Sequence, residues 1–398
     1  MMKIAIVIER VDPALGGAER SIFELAEALR DRGLDVRILA ASSGVEAPNI
    51  TLLVPPALGK RTSPARFEAA LRTHLAQEHY DIVHSVLPYA FAHVYQPRGG
   101  SYAESILRNA VSYENRAIGA LKRLTAFANR RRGYYALAER SLCSGNEGPT
   151  VAALSRYVAD QFERHYQTPP SRIALITNGV QTDPPVDARE TARLRARIQE
   201  KLGGSEAAPP LLLLFAAHNF RLKGLGPLLR ALALVKSSRR LDRPCRLIVS
   251  GSGSQIAYKA KARALGVDED VLFLGPTPGI QHVLSLCDVA VLPTFYDPSS
   301  RFILEALASG KPVITTRFNG AIDHFTSGRH GEVIDSPEDI PALAAAIAHF
   351  GAAANVHRAA EAIAADNLKN TISNRRVAEE LCRLYESLLK AHGAPQIG

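Results

Sequence analysis

Two carboxylates stand eight residues apart in the stretch 294–320, with Asp297 first and Glu305 second. Asp297 follows an apolar run, and Glu305 lies in the helix predicted next, for which Ser299 or Ser300 is the N-cap. The pattern is strand, loop, helix, strand, and ligands of open α/β sheets bind in the crevice at the carboxyl ends of strands. Spacing alone leaves two interpretations open, a site for an anion such as a diphosphate and an ordinary turn before a solvated helix.

A second loop of the same kind carries cations. Arg221 and Lys223 stand two residues apart before Gly224, in the loop after the apolar run 211–216. An arginine holds two phosphate oxygens at once, and a lysine adds a point charge. The alternative is a basic surface loop, but the position at the end of a strand favours a diphosphate.

Glycines follow three further strands. Gly251 lies in the loop 250–254, Leu274 and Gly275 end the next apolar run, and Gly16 and Gly17 open the first helix. The pair at 16–17 lacks the GxGxxG spacing, so a dinucleotide site is only weakly indicated. Four consecutive strand ends in the second half are therefore glycine-rich, cationic or acidic, which a nucleotide-diphosphate site explains better than chance turns do.

Length and composition set limits on the class of protein. The chain has 398 residues, which favours two domains of ordinary size. No run of 18 apolar residues is present, and the short apolar segment near the N-terminus is predicted to be a buried strand rather than a signal peptide. Four cysteines without CxxC spacing suit a reducing cytoplasm and argue against zinc or a disulfide framework.

Strands and helices alternate in both halves, which is typical of parallel sheets covered by helices on both faces. We predict strands at 3–8, 36–41, 51–54, 81–86, 150–155, 173–177, 211–216, 246–250, 271–274, 289–292, 312–316 and 331–334. The polar segment 181–210 is interpreted as a connection with one short helix. The sequence thus predicts an N-terminal domain at 1–180, a C-terminal domain at 181–372, and a last helix at about 373–391 that packs back on the first domain.

The net charge of +9 is concentrated between residues 116 and 140. Apolar residues recur there at helical spacing between the basic ones. The basic positions of interest for a membrane face are Arg123, Arg130, Arg131 and Arg132, and the apolar ones are Ile118, Leu121, Leu124 and Phe127. Contact with an anionic lipid surface and a solvated face covered by arginine stems both remain open. Nucleic acid is disfavoured, because no nucleic-acid motif accompanies the charge.

Taken together, these motifs resemble those of the retaining glycosyltransferases of family 4. The matching pieces are GGAER at 16–20, ALITNGV at 174–180, FRLKG at 220–224, GSGS at 251–254 and DPSSRFILEALASGKPVI at 297–314, the last being the E-x7-E element. The resemblance implies the GT-B fold, with two Rossmann-like domains facing a central cleft. Within the family, the pieces NFRLKGLGPLLRAL, ERHYQTPPSRIALI and SYAES are most similar to the lipopolysaccharide core glucosyltransferase type.

The resemblance implies roles for the donor side. Arg221 and Lys223 bind the diphosphate, Asp297 contacts the donor sugar, and Glu305 accepts hydrogen bonds from the ribose. Catalytic positions are therefore Arg221, Lys223 and Asp297. Donor-binding positions are Gly16, Gly17, Gly251, Leu274, Gly275, Ser299, Ser300 and Glu305.

Two departures from the family pattern affect the remaining positions. Asp297 replaces the first glutamate of the E-x7-E element and is one methylene shorter. Arg98 stands where a histidine is expected near the reacting sugar, and His93, five residues away, is predicted to be a satisfied strand-end histidine. The acceptor side is assigned to Arg98, Tyr102 and Glu104.

The resemblance implies transfer of a hexose, with glucose as the best guess, from a UDP-sugar to a membrane glycolipid such as a lipopolysaccharide core heptose. Attack on the same face, without an enzyme nucleophile, retains the anomeric configuration. No cofactor and no metal are expected, and the protein is expected to be a cytoplasmic monomer held peripherally at the inner face of the membrane. The alternatives are a GT-B UDP-sugar epimerase and a non-catalytic basic protein that binds lipid or nucleic acid.

Overall fold

A computed structural model describes residues 1–12, 17–55, 62–202, 209–238, 241 and 243–393 of the chain. It divides into two compact units. The first contains residues 1–110, 115–180 and the C-terminal segment from 373, and the second contains 111–114 and 181–372. The C-terminal helix thus belongs to the same unit as the N-terminal half of the chain.

The first unit is a parallel sheet with helices on both faces. Its main strands are β1 (Lys3–Val7), β3 (Asp35–Ala40), β5 (Ile50–Leu52), β6 (Ile82–Ser85), β7 (Val94–Tyr95), β8 (Thr150–Ala153) and β9 (Ile173–Leu175), and a separate parallel pair is formed by β2 (Arg10–Val11) and β4 (Ser42–Ser43). Its helices are α1 (Gly17–Arg30), α2 (Pro64–Gln77), α3 (Tyr102–Val111), α4 (Arg116–Leu124), α5 (Arg130–Cys143), α6 (Arg156–Tyr166) and the C-terminal helix α15 (Asn374–Gly393). The strand order is β5-β3-β1-β6-β7-β8-β9.

Alternation along β1 builds the two cores of this unit. Ile4 and Ile6 point to the face covered by α1 and α15, where Tyr385 is fully buried. Ala5 and Val7 point to the other face, under α2 and α5. A central parallel strand is apolar on both faces because helices cover both.

The second unit is a six-stranded parallel sheet. Its strands are β10 (Leu211–Ala216), β11 (Cys245–Ser250), β12 (Val271–Gly275), β13 (Val289–Leu292), β14 (Val313–Thr316) and β15 (Gly331–Ile334). Its helices are α7 (Ala188–Leu202), α8 (Leu225–Ser237), α9 (Ile256–Ala264), α10 (Ile280–Leu284), α11 (Arg301–Ala308), α12 (Ile340–His349), α13 (Ala353–Ala365) and α14 (Leu368–Thr371).

The strand order of the second sheet is β12-β11-β10-β13-β14-β15, with every pair parallel. The order reverses between β10 and β13, so the loops after these two strands flank the switch point at which such sheets bind ligands. The loops that follow β10, β11, β12 and β13 all leave the same edge. The prediction of two doubly wound, Rossmann-like α/β domains is confirmed.

Two predicted features differ in detail. Helix α7 is longer than the short linker helix expected for 181–210, and it buries Leu194, Ile198 and Leu202 within the second unit. The basic stretch 116–140, predicted only as an amphipathic segment with helical spacing, forms two helices, α4 and α5. Asn115 and Asn129 cap them, because each side chain accepts hydrogen bonds from first-turn amides.

Within the described ranges, no single helix is both long and apolar enough to cross a membrane, and only α12 and α13 pass such a test jointly, as a pair bent by 85°. The cysteines, which the sequence places far apart, are all free thiols.

Candidate active site

Lys223 and Asp297 form an ion pair at the switch point of the second sheet. The Lys223 Nζ lies 2.7 Å from Asp297 Oδ2 and donates a second hydrogen bond, of 2.8 Å, to the carbonyl of Tyr296. The side chains are 20% and 13% exposed, so both reach the surface. An ammonium group has three N–H donors, and the third has no partner among the residues that the structure describes. The sequence predicted this pair as two separate contacts to a donor, and the structure brings them together.

The backbone around the pair is fixed by hydrogen bonds between loops. The amide of Phe295 donates to the carbonyl of Leu222, which joins the loop after β13 to the loop after β10. The amide of Asp297 donates to Phe318, and the amide of Gly320 donates back to Asp297, both at 2.9 Å. Two strand ends and the segment after β14 therefore hold the ion pair, so that ligand binding there requires little ordering of the backbone.

Helix α11 begins beside this pair. Ser300 is its N-cap, since its hydroxyl accepts from the amide of Ile303. Ser299 precedes the cap and is 7% exposed. The buried Asn319 accepts from the Ser300 amide at 3.1 Å and donates to Thr315, which fixes the start of the helix. Asn319 was missed by sequence reasoning, because nothing in the local pattern after β14 distinguishes it from a turn residue.

Glu305 lies one turn into α11 and is 15% exposed at its side chain. Its carboxylate is held by Arg301, whose guanidinium nitrogen Nη2 lies 3.2 Å from Glu305 Oε1. Sequence reasoning also missed Arg301, although the i, i+4 spacing of the two residues is the signal for such a pair.

The Arg221 side chain contacts a different set of groups from Lys223. Its guanidinium carbon lies 3.7 Å from the centre of the Tyr113 ring, and it donates a hydrogen bond to the Ser112 hydroxyl. Both partners belong to the four-residue segment 111–114 of the second unit. Sequence proximity predicted that Arg221 and Lys223 act together, and the structure shows each with its own partners.

The glycine loops after β11 and β12 are joined to each other. Gly251 has φ of +132°, and its amide donates to the carbonyl of Gly275 at 2.9 Å. A Cβ at Gly251 would lie 1.8 Å from the carbonyl oxygen of Ala217, so only glycine fits this close approach of two strand ends.

A cavity of about 1010 Å³ opens beside the end of β12. Leu274, Thr277 and His282 line it together with Arg197 of α7, whose guanidinium lies 3.4 Å from the Leu274 carbonyl. The His282 side chain is 7% exposed, and its buried Nδ1 has no hydrogen-bond partner in the described part of the chain. The cavity combines apolar walls with polar groups, as small-molecule sites do.

The glycine pair near the N-terminus is only partly visible. Gly17 is the first residue of α1 and is exposed, whereas Gly16 lies outside the described residues.

Arg98 lies at the carboxyl edge of the first sheet. It donates to Ser21 of α1, to Asn178 at 3.0 Å and to Gln96 at 3.1 Å. Burial, together with the charge of Arg98, lowers the pKa of His84 to about 3. Arg98 therefore connects α1 to two loops, and its charge adds to the burial that lowers the pKa of His84.

His93, predicted to be a satisfied strand-end histidine, directly precedes β7. Its Nδ1 accepts a hydrogen bond of 2.9 Å from the backbone amide of Val83.

The proposed acceptor residue Glu104 is buried in a polar network. It is 1% exposed and accepts from Arg108 at 2.7 Å, from Tyr157 at 2.9 Å and from His165 at 2.8 Å. Although burial opposes ionisation, hydrogen bonds from Arg108, His165 and Tyr157 lower the pKa of Glu104. Its carboxylate is thus occupied by protein groups, which corrects the expectation of an acceptor contact and makes Glu104 a structural residue of α3.

Tyr102, the other acceptor candidate on α3, contacts a second buried carboxylate, that of Glu139. Its backbone amide donates to Glu139 Oε2 at 2.7 Å, and Tyr95 donates to Glu139 Oε1 at 2.6 Å. Tyr166 donates to the same carboxylate at 2.5 Å. Burial raises the pKa of Glu139 to about 7 despite these donors. Glu139 connects α5 to β7, α3 and α6 and was not singled out as a site residue.

This pKa predicts how the stability of the protein depends on pH. The folded pKa of Glu139 lies above its ordinary value of 4.5, so the folded state binds more protons between the two values. Stability is therefore expected to fall by about 3 kcal/mol as pH rises from 4.5 to about 7. Urea unfolding midpoints at several pH values measure this, and Glu139→Gln should remove that part of the slope. Glu163→Gln, on the exposed side of α6, is the control, and an unchanged slope in Glu139→Gln would contradict the assignment.

The basic surface of α4 and α5 is largely solvent-exposed, with one exception. Arg123, Arg130 and Arg132 are exposed. Arg131 is 22% exposed, pairs with Glu9, and donates to the Thr62 carbonyl at 2.8 Å. The membrane-face prediction is therefore wrong for Arg131, because its charge is used inside the unit.

Two family models match the chain. The model described as Glycosyltransferase Family 4 matches residues 15–184, and the model described as Glycosyl transferases group 1 matches residues 209–351. Together the two matches account for most of the chain, one in each unit. The chain belongs to these glycosyltransferases, and its two Rossmann-like units are those of the GT-B class.

Named proteins that are similar to the chain are consistent with this family. The lipopolysaccharide glucosyltransferase WaaG of Escherichia coli K12 is 26% identical over 344 residues, which cover 84% of this chain and 86% of that protein. A crystal structure of WaaG, a glycosyltransferase involved in lipopolysaccharide biosynthesis, has a TM-score of 0.67 at 21% identity and covers 99% of this chain and 100% of its own. The Anabaena protein Alr3699/HepE in complex with UDP-glucose has a TM-score of 0.69 at 16% identity, with 97% and 100% covered.

Proposed function

We propose that this protein is a retaining hexosyltransferase. It moves glucose from UDP-glucose to a membrane glycolipid, such as a heptose of the lipopolysaccharide core, without a divalent metal. The similarity to WaaG over most of both chains supports the acceptor class. A neighbour with the same fold was solved with UDP-glucose, which supports the donor.

The observation that carries the proposal is the geometry of Lys223. Its ammonium is held by Asp297 and by the Tyr296 carbonyl at the point where the strand order reverses. Two of its three N–H donors are used in this way, which leaves the third to donate to a phosphate oxygen. A fixed cation at that place stabilises the negative charge that develops on the diphosphate as the bond to the sugar breaks.

The other residues of the site bind different parts of the donor. Glu305 of α11 accepts hydrogen bonds from the ribose hydroxyls, and Arg301 contacts the same carboxylate and holds it in position. Asp297 keeps one carboxylate oxygen for the sugar hydroxyls while the other accepts from Lys223. The N-terminal end of α11, where the helix dipole is positive, favours the anionic diphosphate.

The nucleobase occupies the cavity beside β12. Leu274, Thr277 and His282 line it, and the Arg197 guanidinium beside the Leu274 carbonyl adds a hydrogen-bond donor for a carbonyl of uracil. This location agrees with the donor-binding role that the family resemblance implies for Leu274 and Gly275.

Retention of configuration follows from attack on the face that the diphosphate leaves. The acceptor hydroxyl forms a bond to the anomeric carbon while the carbon–oxygen bond to the diphosphate breaks, and the departing phosphate oxygen takes the hydroxyl proton. The transition state is close to an oxocarbenium ion, and its charge is balanced by the diphosphate held at Lys223. This route differs from hydrolases that retain configuration through an enzyme carboxylate nucleophile.

The test is a transfer assay with UDP-glucose and lipopolysaccharide truncated at the inner-core heptose. The expected product carries an α-linked glucose, which the proton coupling at the anomeric carbon identifies, and its rate is unchanged by EDTA. A β-linked product would contradict retention, and loss of activity with EDTA would contradict metal independence. Conversion of a UDP-sugar to its epimer without any acceptor would replace this function by that of an epimerase.

The membrane part of the proposal rests on α4 and the turn after it. Leu121, Leu124 and Phe127 are 58%, 80% and 56% exposed, and the basic residues Lys122 and Arg123 beside them are exposed as well. Large apolar side chains that are this exposed, beside positive charge, are typical of helices that lie in the surface of an anionic bilayer. The protein would act at the inner face of the cytoplasmic membrane as a peripherally bound monomer.

Removal of the apolar side chains should weaken this association. Leu124→Ser with Phe127→Ser is expected to lower binding to phosphatidylglycerol vesicles at least about tenfold, because two side chains no longer enter the interface. Co-sedimentation measures the bound fraction. Ile256→Ser removes a side chain that is 83% exposed on α9 of the second unit and is the matched control. Equal sedimentation of the double variant and the parent would remove α4 from the membrane surface.

A further inference from the structure

The second unit contains another cavity, of about 380 Å³, at the start of α8. It lies between α8, α9 and the segment 111–114. Its walls carry three cationic side chains, Arg221, Arg230 and Lys261, and three aromatic ones, Tyr113, Tyr258 and Phe295. Its volume is within the range of about 300–1,000 Å³ that is usual for small-molecule sites.

Arg230 is the cation in this wall with unused hydrogen-bonding capacity. It lies one turn after Gly226 and Pro227, which also line the cavity at the beginning of α8. The Nε of Arg230 is buried and has no hydrogen-bond partner within the residues that the structure describes. Leaving a buried charged donor without a partner costs free energy. The same side chain lines the cavity, where an anion would accept hydrogen bonds from its guanidinium group.

The two tyrosine rings that line the cavity each pack against a neighbouring side chain. Tyr113 stacks on the guanidinium of Arg221 at 3.7 Å. Tyr258 packs edge to face against Phe220, with ring centres 5.7 Å apart. Tyrosine rings suit the apolar face of a sugar, and their hydroxyls suit its polar edge.

Charge in the cavity is positive on balance. Lys261 pairs with Glu114, and Glu338 is the second carboxylate of the wall. Three cations against two carboxylates leave one positive charge, which lies with the arginines because Lys261 is already paired. The Lys261–Glu114 pair also approaches Gly226 closely, since a Cβ there would lie 3.0 Å from Glu114 Oε1.

We propose that this cavity binds a sugar phosphate, with the phosphate against Arg230 and the sugar ring over Tyr258. The site is separate in its residues from the Lys223–Asp297 pair. The phosphorylated sugar comes either from the acceptor glycolipid, in which case the inference rests on the proposed function, or from a free metabolite that regulates the enzyme.

Calorimetric titration of the full-length protein with glucose 6-phosphate tests the site, with inorganic phosphate and glucose as partial ligands. We expect glucose 6-phosphate to bind at least about tenfold more tightly than either partial ligand, because Arg230 then contacts the phosphate while Tyr258 contacts the sugar ring. Arg230→Gln should weaken glucose 6-phosphate binding at least about tenfold and leave UDP binding unchanged. Lys261→Gln, which removes a cation already paired with Glu114, should weaken it less and guards against misfolding of the first variant.

Lys223→Ala distinguishes this site from the donor site. That variant should lose affinity for UDP and keep its affinity for glucose 6-phosphate. Failure of the parent protein to bind UDP would contradict the proposed function and would not bear on this cavity. The inference is overturned if glucose 6-phosphate gives no heat at about 10 mM, if inorganic phosphate binds equally well, or if Arg230→Gln and Lys261→Gln both bind like the parent.

Kinetics then identify the source of the ligand. An acceptor-borne phosphate predicts that Arg230→Gln raises KM for phosphorylated lipopolysaccharide, without a change in kcat, and has no effect on chemically dephosphorylated lipopolysaccharide. A free regulator predicts that added glucose 6-phosphate changes the transfer rate to dephosphorylated acceptor in the parent and not in Arg230→Gln. If neither rate responds, the cavity has no part in the reaction and the proposed role is wrong.

Discussion

Lys223→Ala is expected to lower kcat/KM for sugar transfer by roughly 100- to 1,000-fold, the usual cost of removing one fixed group that stabilises charge in a transition state. The fall should appear mainly in kcat, because negative charge grows on the diphosphate only as the sugar departs. The substitution also leaves Asp297 without the cation that now lies 2.7 Å from it. Its carboxylate then repels the diphosphate, which adds a loss of UDP affinity to the loss of rate.

Initial rates with UDP-glucose, together with calorimetric UDP titration, measure both effects. Lys236→Ala is the matched control, because Lys236 is also a lysine of the second unit paired with an aspartate, Asp270, but it lies on the far part of α8. Asp270 keeps a second cation, Arg246, in that control. Equal activity of Lys223→Ala and the parent would remove Lys223 from the reaction and with it the proposed donor site.

The edge of the second sheet could be predicted from sequence because parallel strands are short apolar runs that end in a loop with distinctive residues. β10 and β13 have the bounds that their apolar runs indicate, Leu211–Ala216 and Val289–Leu292. Since parallel strands place their carboxyl ends on one edge, the sequence puts the loops carrying Lys223 and Asp297 on that edge. Only the strand order of the structure shows that β10 and β13 are neighbours, which brings the two loops together. The same local chemistry predicted Ser299 or Ser300 as the N-cap of α11, and the structure shows that it is Ser300.

The directions of long side chains could not be predicted in this way. Arg221 is two residues from Lys223 in sequence, yet its guanidinium stacks on Tyr113, a residue from a distant part of the chain. Arg131 lies between two exposed arginines but pairs with Glu9 of the N-terminal segment. A flexible side chain of four or more bonds takes the partner that tertiary packing provides, and local spacing contains no information about that partner.

The burial of two carboxylates, those of Glu104 and Glu139, could not be predicted from the sequence either. Glu104 and Glu139 lie in helices whose periodicity predicts only which face is apolar, and acidic residues are rarely buried. Both are buried because several donors from separate elements converge on them. The break between α4 and α5 is different, because Asn115 and Asn129 are ordinary N-cap residues that a closer reading of the sequence would have found.

Gly251→Ala is expected to destabilise the second unit by about 3 kcal/mol or more, because a left-handed-region backbone and a steric clash act together. The residue has φ of +132°, and the added Cβ would lie 1.8 Å from the carbonyl oxygen of Ala217. That oxygen is part of the backbone after β10 and cannot move without displacing the loop that carries Lys223. Relief of the clash would also break the hydrogen bond from the Gly251 amide to Gly275, so UDP affinity should fall together with stability.

Gly310→Ala separates the two causes. Gly310 follows α11 with φ of +70°, but nothing lies within 4 Å of an added Cβ. Only the conformational cost applies there, about 1 kcal/mol, and UDP affinity should be unchanged. Urea unfolding midpoints and UDP titration of both variants measure the difference. If the two substitutions cost the same, the contact between Gly251 and Ala217 is not what fixes the loop, and the rigid approach of the β10 and β11 ends could not be the reason that Lys223 is held in place.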